Sequence, residues 1–531
     1  MLFLFHGLSL FIILIIGLLA IIWPPILYTL VLFLPVYAIG VVDSFQKRHA
    51  VRRNFPVIGN LRYFFELIRP ELQQYFVESN HSGRPIPREI RSVVYQRAKG
   101  QLETLPFGTQ RDVHAEGHEW VHHSMVPQSL EAKDLRIKIG GPQCTQPYSA
   151  SILNISAMSY GALSKAAVRA LNLGAKEGGF YHNTGEGGIS PYHLQGGDLC
   201  WQIGTGYFGC RTKEGNFCEK TFAEKAKWES VKLIEIKISQ GAKPGKGGLL
   251  PGAKVTKEIA EIRCVEEGKD VISPSKHTTF STPSELLDFI QKLRELSGGK
   301  PVGFKFCVGR RSEFFGICKA MVKKQIYPDF ITVDGAEGGT GAAPLEFANS
   351  VGRPLDEGLA FVVDTLEGFD LKDYIKVIAA GKVFTSFHLL TKLALGADLV
   401  YSARGMMLAL GCIQALKCNS NHCPVGVATT NPQLVRGLDI SDKSMRVMRY
   451  HHTTVKAFVD ILGAMGYTDT TQLRRSDVFR RLSDGLVKSY EDIYPSIPRG
   501  CYLNDVDLPE MPMDLLAAFK SSSVDSFFGK V

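Results

Sequence analysis

From Ser151 onward the chain repeats one texture: a short run of β-branched and aromatic residues, then a stretch with helical periodicity. The runs are ILNIS, GFYHN, CWQIG, LIEIKI, VGFKF, FITVDG, IKVIAAG and DLVYSA. Helical patterns such as SKAAVRALNLGAKEG, SELLDFIQKLREL and SFHLLTKLALG lie between several of them. Eight strands, many followed by a helix, fit an α/β architecture, a (β/α)8 barrel of the TIM type. The rival is an open, doubly wound sheet, and glycine placement separates the two. Here glycines cluster after several different strands, as loops at the C-terminal mouth of a barrel do. A doubly wound dinucleotide fold would concentrate them after its first strand, yet no GxGxxG follows a strand and there is no P-loop.

The barrel pattern occupies residues 151–430. Ahead of it, Leu2 to Ile22 is almost wholly apolar, with His6 the one ionisable interruption, and is long enough to span a bilayer as a helix. Trp23-Pro24-Pro25 breaks the run, because proline lacks the amide a helix needs. Ile26 to Val42 is a second apolar run, followed by Lys47, Arg48, Arg52 and Arg53, whose charge favours the cytoplasmic side. Residues 1–45 therefore read as a transmembrane hairpin in the cell membrane, with the body of the protein in the cytoplasm. A cleaved signal peptide is the alternative; it is opposed by the missing N-terminal basic charge, the apolar length and the second span.

Residues 46–150 read as a mixed helical and loop region packing on the barrel, with helical stretches RPELQQYFVES and REIRSVVYQRAK and a loop-rich part after Thr104. His118 and His122, beside His114 and His123, are spaced for one helix face, but no carboxylate–histidine pattern accompanies them, so they read as surface or hydrogen-bonded histidines. Residues 431–531 read as a helical extension, with VKAFVDILGAMG and DVFRRLSDGLVKSYEDIY, ending in a loose tail, SSSVDSFFGKV. A net charge of +9 is mild for 531 residues, and no basic stripe interleaved with aromatics argues for nucleic acid. The 11 cysteines are irregularly spaced, which fits a reducing compartment better than a disulfide framework.

Chemistry concentrates in the loops after the strands. NTGEGG, Asn183 to Gly188, lets backbone approach a flat ligand and would hold Glu186 beside it; a tight turn with an exposed acid is the plainer reading. In KISQGAKPGKGGLLPG, glycine and proline restrict the loop around Lys243, so its ammonium suits a carboxylate or phosphate. Arg263 on the following helical stretch would complete a dicarboxylate clamp, or else belongs to a solvated helix face. VDGAEGGTGAAP ends a strand at Asp334 and then offers Gly338, Gly339 and their neighbours as an amide-rich anion loop. After the seventh and eighth strands, where barrels often bind phosphate, stand Gly381, Lys382, Arg404 and Gly405. A phosphorylated cofactor there points to flavin mononucleotide or a sugar phosphate. Cys412, Cys418 and Cys423 follow directly. Thiolates bind soft metals and iron–sulfur clusters. Zinc would need His422 as a fourth ligand, awkwardly adjacent to Cys423, and unmetallated core cysteines are the remaining option.

Together SAMSYGALS, NTGEGG, QGAKPG with LPGAKV, DGAEGGTGAAP and GCIQALKCNSNHCPVGVATTNP, in this order from about residue 150 to 435, resemble the FMN-binding synthase domain of glutamate synthases. RSVVYQRAK and PFGT resemble a short, membrane-anchored branch of that family lacking the glutaminase domain. The resemblance implies a barrel carrying FMN and a 3Fe-4S cluster. Electrons would pass through the cluster to FMN, whose reduced form delivers hydride to the imine of 2-oxoglutarate and ammonia, giving L-glutamate. By the same resemblance Cys412, Cys418 and Cys423 match the cluster ligands, and Lys243 and Arg263 would hold the 2-oxoacid carboxylates. Met158 and Ser159 would lie at flavin and substrate, Glu186 would line the ammonia entrance, and Gln240 and Lys305 would contact the flavin.

The chain also departs from that pattern. No cysteine amidotransferase domain is expected ahead of the barrel and no β-helix domain after it, so ammonia would come from solution or a partner. Lys246 and Leu249 stand where the larger enzymes usually have an acidic residue and a glutamine, and SPSKHTTFS, Ser273 to Ser281, differs too. Without an NAD(P)H motif, electrons would come from ferredoxin, a reductase subunit or a membrane carrier. Two alternatives stay open: an FMN/Fe–S oxidoreductase on another substrate, and a non-catalytic flavin-binding module.

Overall fold

The computed structural model describes residues 2–101, 104, 106–131, 135–504, 508 and 510–529. Eight parallel strands close into a barrel: β1 (Leu153–Ile155), β2 (His182–Asn183), β3 (Leu199–Ile203), β4 (Val231–Lys237), β5 (Val302–Phe306), β6 (Phe330–Asp334), β7 (Lys376–Ala380) and β8 (Leu399–Ser402). Each pairs with its neighbours in sequence, and β8 returns to β1 with Val400 opposite Leu153. All eight runs expected from the sequence are these strands. Parallel strands need long crossovers, and helices supply them. Their starts follow ordinary capping chemistry: Ser164 caps Lys165–Gly178, Thr282 and Glu285 form a capping box on Pro283–Leu296, and Thr385 caps Ser386–Ala394.

One end of the barrel is stoppered. An antiparallel ribbon, Arg136–Ile139 with Tyr148–Ser151, feeds directly into β1. Its Ile139 and Ala150 join Tyr181, Leu233, Phe330, Ile378 and Leu399 in one apolar cluster. Asp329, just before β6, accepts hydrogen bonds from the Gly141 and Val302 amides, both at 2.7 Å, and pairs with buried Arg294. The floor is therefore at the strand N-termini, which leaves the C-terminal ends as the mouth.

The interior above that floor is polar. Glu235 of β4 is fully buried and accepts hydrogen bonds from Asn183 (2.8 Å), Gln202 (2.6 Å) and Thr332 (2.7 Å), so three strands satisfy one carboxylate. The long helix Ile440–Ala464 packs on Lys165–Gly178. A Cβ at Gly174 would stand 2.8 Å from the Ser444 carbonyl, so the glycine sets that approach.

Three local expectations are corrected. Within DVFRRLSDGLVKSYEDIY, Val478–Ser483 and Leu486–Ser489 are a hairpin, not helix; Asp484-Gly485, with Gly485 at φ 72°, makes the turn. Glu119–Val121 adds a third strand to it, so His118 and His122 flank a strand, where they stack on Trp120 and Phe479. The tail is not loose: the Ser284 amide and hydroxyl both donate to the Val524 carbonyl (3.0 and 2.9 Å), and Ser522 is buried. Its last two residues, Lys530 and Val531, lie outside the described residues.

Residues 1–89 form a separate compact unit, and residues 90–531 the other. In the first, Leu2–Ile22 and Pro24–Phe45 are both long and apolar enough to cross a membrane. Pro24 and Pro25 end the first helix in a short 3-10 turn. His6 hydrogen-bonds Ser44 at 3.1 Å, and Gly40 lies directly against the Phe5 ring. Most other side chains of the pair are exposed and apolar.

Candidate functional site

Residues from five neighbouring strands, β4 to β8, and from the loops that follow them meet along one arc of the barrel mouth. Lys305 of β5 and Asp334 at the end of β6 form an ion pair of 3.1 Å, both buried. Burial alone would lower the Lys305 ammonium; the charges of Asp334 and Glu235 outweigh it and raise its pKa. Asp334 also accepts the Gly241 amide at 3.1 Å. Gly241 lies so close under the Gly335 carbonyl that no Cβ fits, which joins the loops after β4 and β6 backbone to backbone. Gly335 donates to Ala380 at 2.8 Å and Gly338 donates to Gly335 at 2.8 Å. Arg404, after β8, donates to the Glu337 carbonyl at 2.9 Å, and a Cβ on Gly339 would stand 2.8 Å from its guanidinium carbon. Gly381 turns with φ 147°, and Lys382 follows with φ 47°. Gly405 sits against Ser402 and Tyr450. Asp334, Gly338, Gly339, Gly381 and Arg404 therefore belong to one rim.

The second group lies on the neighbouring arc. Glu186 pairs with Lys237 at 2.8 Å. Burial alone would raise the Glu186 carboxyl; Lys237 first, then Arg263 and Lys243, hold it below the usual carboxylate range. Lys243 is 3% exposed and donates to the Ala342 carbonyl at 2.9 Å. Burial and the Lys237 charge push its pKa down to about 8. Arg263 is 5% exposed, donates to the Tyr160 carbonyl at 3.0 Å and lies over the Phe208 ring. Burial lowers its pKa to about 10, against the opposing pull of Glu186. Its Nε is buried without a hydrogen-bond partner. Gly185 and Gly187 bring the NTGEGG loop onto the Met158–Ser159 backbone and Arg263: Cβ atoms there would stand 2.9 Å from the Ser159 amide and 2.6 Å from the guanidinium. A small pocket opens among Glu186, Lys237, Gln240, Lys246 and Gly248, with Pro274 and Ser275 on its wall.

The cysteine loop is held by both flanks. Tyr95 donates to the Cys412 carbonyl at 2.6 Å, and Asn421 donates to the Ala253 carbonyl at 3.0 Å. Four residues with positive φ, Gly411, Gln414, Leu416 and Asn421, curl it. The thiols are near enough to act on each other electrostatically: burial pushes Cys412 up to about 11, with Cys418 and Cys423 adding to it, and Cys418 is raised by burial and by Cys423. Buried Lys254 donates to the Ala162 and Ala428 carbonyls (3.1 and 2.9 Å), and its charge opposes those of Cys418 and Cys423. Among the described residues no three His, Cys, Asp or Glu side chains are grouped to hold a single metal ion.

Sequence reasoning missed three buried charges. Lys237 and Glu235 share one strand face with Leu233, and that i, i+2 spacing of charges within an apolar strand was the available signal. Lys254 carried no such signal. Its partners are carbonyls and thiols from distant segments.

Residues 118–468 match the family description "Conserved region in glutamate synthase". The chain is similar to the Glutamate synthase large subunit-like protein YerD of Bacillus subtilis (strain 168), 37% identical over 522 residues, covering 90% of this chain and 98% of that protein. It is 35% identical over 322 residues to the Archaeal glutamate synthase (NADPH) of Methanocaldococcus jannaschii, covering 60% of each. It is 30% identical over 332 residues to the Glutamate synthase (NADPH) large chain of Bacillus subtilis, covering 61% of this chain and 20% of that one.

Proposed function

The chain belongs to the glutamate synthase family, and on that premise we propose that it is an oxidoreductase forming L-glutamate from 2-oxoglutarate and ammonia. The observation that carries the reading is the cation pair at the mouth. Lys243 and Arg263 come from separate segments, are both buried, and flank one ionised carboxylate, Glu186. Two desolvated cations and an unpartnered guanidinium Nε suit a dicarboxylate.

FMN and a 3Fe-4S cluster supply hydride transfer and single-electron delivery respectively when bound. Arg404 and the glycines at 338, 339 and 381, whose backbones pack closely against Gly335, Asp334 and the Arg404 guanidinium, are the proposed contacts of a flavin phosphate. Lys305, kept cationic by Asp334 and Glu235, suits an anionic reduced ring. Met158, Ser159 and Gln240 are backbone and side-chain neighbours of the same mouth. A cluster is wider than a single ion, so its thiolates surround it and do not converge on a point. Cys412, Cys418 and Cys423, with the Lys254 charge beside two of them, are the proposed ligands.

In the reaction the residues orient and charge. Lys243 and Arg263 bind the two carboxylates of the 2-oxoacid and fix its C2 carbon. Glu186, held ionised, lines the pocket and attracts ammonium to it. The apolar hairpin is the proposed membrane anchor, with the barrel on the cytoplasmic side and ferredoxin or a reductase subunit as electron donor.

One observation favours a second substrate. Lys246 and Ser275, from the two segments that depart from the larger enzymes, line the same pocket as Glu186 and Gln240. A different 2-oxoacid would read out there. Anaerobic titration of dithionite-reduced protein separates the cases. Flavin reoxidation by 2-oxoglutarate plus ammonium, with glutamate formed, is the expected result; no reoxidation contradicts the glutamate assignment.

A further inference from the structure

In the first compact unit, the segment after the hairpin carries an apolar surface that the proposed reaction does not use. Helix Gly59–Leu72 continues into the wider turn Gln73–Val77. Ile58, Leu61, Phe65, Leu72 and Phe76 recur at helical spacing along one side, and all are exposed, Phe76 by 82% and Ile58 by 62%. Phe64 widens the stripe. Arg62 and Arg69, one heptad apart, stand together at its edge, both exposed. An apolar stripe of this size facing water is costly unless something covers it.

We propose that this helix lies flat on an anionic lipid surface, its stripe set into the headgroup boundary of the bilayer that the hairpin crosses. The inference rests on the membrane reading of that hairpin. Two observations select lipid as the occupant. The first is attachment. Buried Asp43, near the end of Pro24–Phe45, accepts the Val57 amide at 3.0 Å and an Asn60 side-chain bond, which fixes the helix start to the end of the hairpin. Gly59 reinforces this, since a Cβ there would meet the Arg52 backbone at 2.9 Å, and Arg52 lies over the Tyr63 ring at 4.4 Å. A helix clamped where a spanning segment leaves the hydrocarbon is held at the depth of the headgroups. The second is charge. Between Gln46 and Leu72 there are six lysines and arginines against two glutamates, the bias that anionic headgroups attract.

The test uses the full chain reconstituted in phosphatidylcholine–phosphatidylglycerol vesicles containing a phosphatidylcholine with a photoactivatable acyl chain. After illumination, lipid adducts are mapped by mass spectrometry. Adducts on both the hairpin and the 59–77 peptide are expected, and the latter should be largely lost in vesicles of phosphatidylcholine alone or in the double variant R62Q/R69Q. Adducts on the hairpin without any on 59–77 overturn the inference and leave the anchor standing. No adducts on either segment overturns both. Adducts on 59–77 that are indifferent to phosphatidylglycerol and to R62Q/R69Q overturn the assignment of anionic lipid.

Discussion

Replacing Lys243 by alanine tests the clamp at its most exposed assumption. In the folded chain the ammonium is desolvated and faces Lys237, so its pKa stands at about 8. It is therefore charged below that pH and neutral above. A dianionic 2-oxoacid bound against it restores the charge, so binding takes up a proton above pH 8 and none well below it. Affinity should fall as pH rises through 8, approaching about tenfold per unit when this is the one coupled group. At pH 7 the variant loses a charge-assisted hydrogen bond, worth about 1.5–3 kcal/mol, which is about tenfold to a hundredfold in Kd. Calorimetry with 2-oxoglutarate and the oxidised full chain, without ammonium, reads both effects. Buffers of different ionisation enthalpy report the proton. Wild-type protein should bind more weakly at pH 9 than at pH 7, and Lys243→Ala should bind weakly with a flat profile between them. A variant that binds as tightly as wild type at pH 7 would remove Lys243 from the site. A wild-type affinity unchanged between pH 7 and 9 would refute the desolvated-lysine argument.

Other substitutions probe the neighbouring groups. Cys418→Ser should abolish the iron–sulfur signal while FMN is retained; unchanged iron content contradicts the ligand assignment. Lys305→Met strands the Asp334 carboxylate in the interior and should cost about 3–5 kcal/mol in denaturant unfolding, with the added change Asp334→Asn recovering much of the loss. If the single variant unfolds at the wild-type midpoint, the ion pair is not the buried pair described. Gly241→Ala should lower the unfolding midpoint and weaken FMN retention together, because the Gly335 carbonyl leaves no space for a Cβ; a neutral outcome shows that the two loops can separate freely.

The barrel was legible because each strand is a short apolar run and the connections carry helical periodicity, two signals that do not overlap. Glycine placement after several strands favoured the barrel over an open sheet for a physical reason: backbones meet at the mouth without room for side chains, as Gly241 and Gly335 do. The hairpin 478–489 was misread because Arg480, Arg481, Asp484 and Lys488 suggest a charged helix. The Asp-Gly turn was the better guide, since its left-handed glycine ends one strand and starts the next. Within the mouth, cations on loops were visible from the sequence. Lys237 was hidden inside a strand, and its partner Glu186 lies on the loop that follows a different strand. Pairing of that kind is set by barrel closure, which no local pattern encodes. The Lys254 contacts, joining the LPGAKV segment to the cysteine loop, were hidden for the same reason.

On the proposed function, flavin and iron are housed together at one barrel mouth. Full-length protein purified without oxygen should release about one FMN per chain on acid treatment and carry about three irons with a paramagnetic signal from the oxidised cluster. A colourless polypeptide, holding neither flavin nor iron after the same handling, contradicts it.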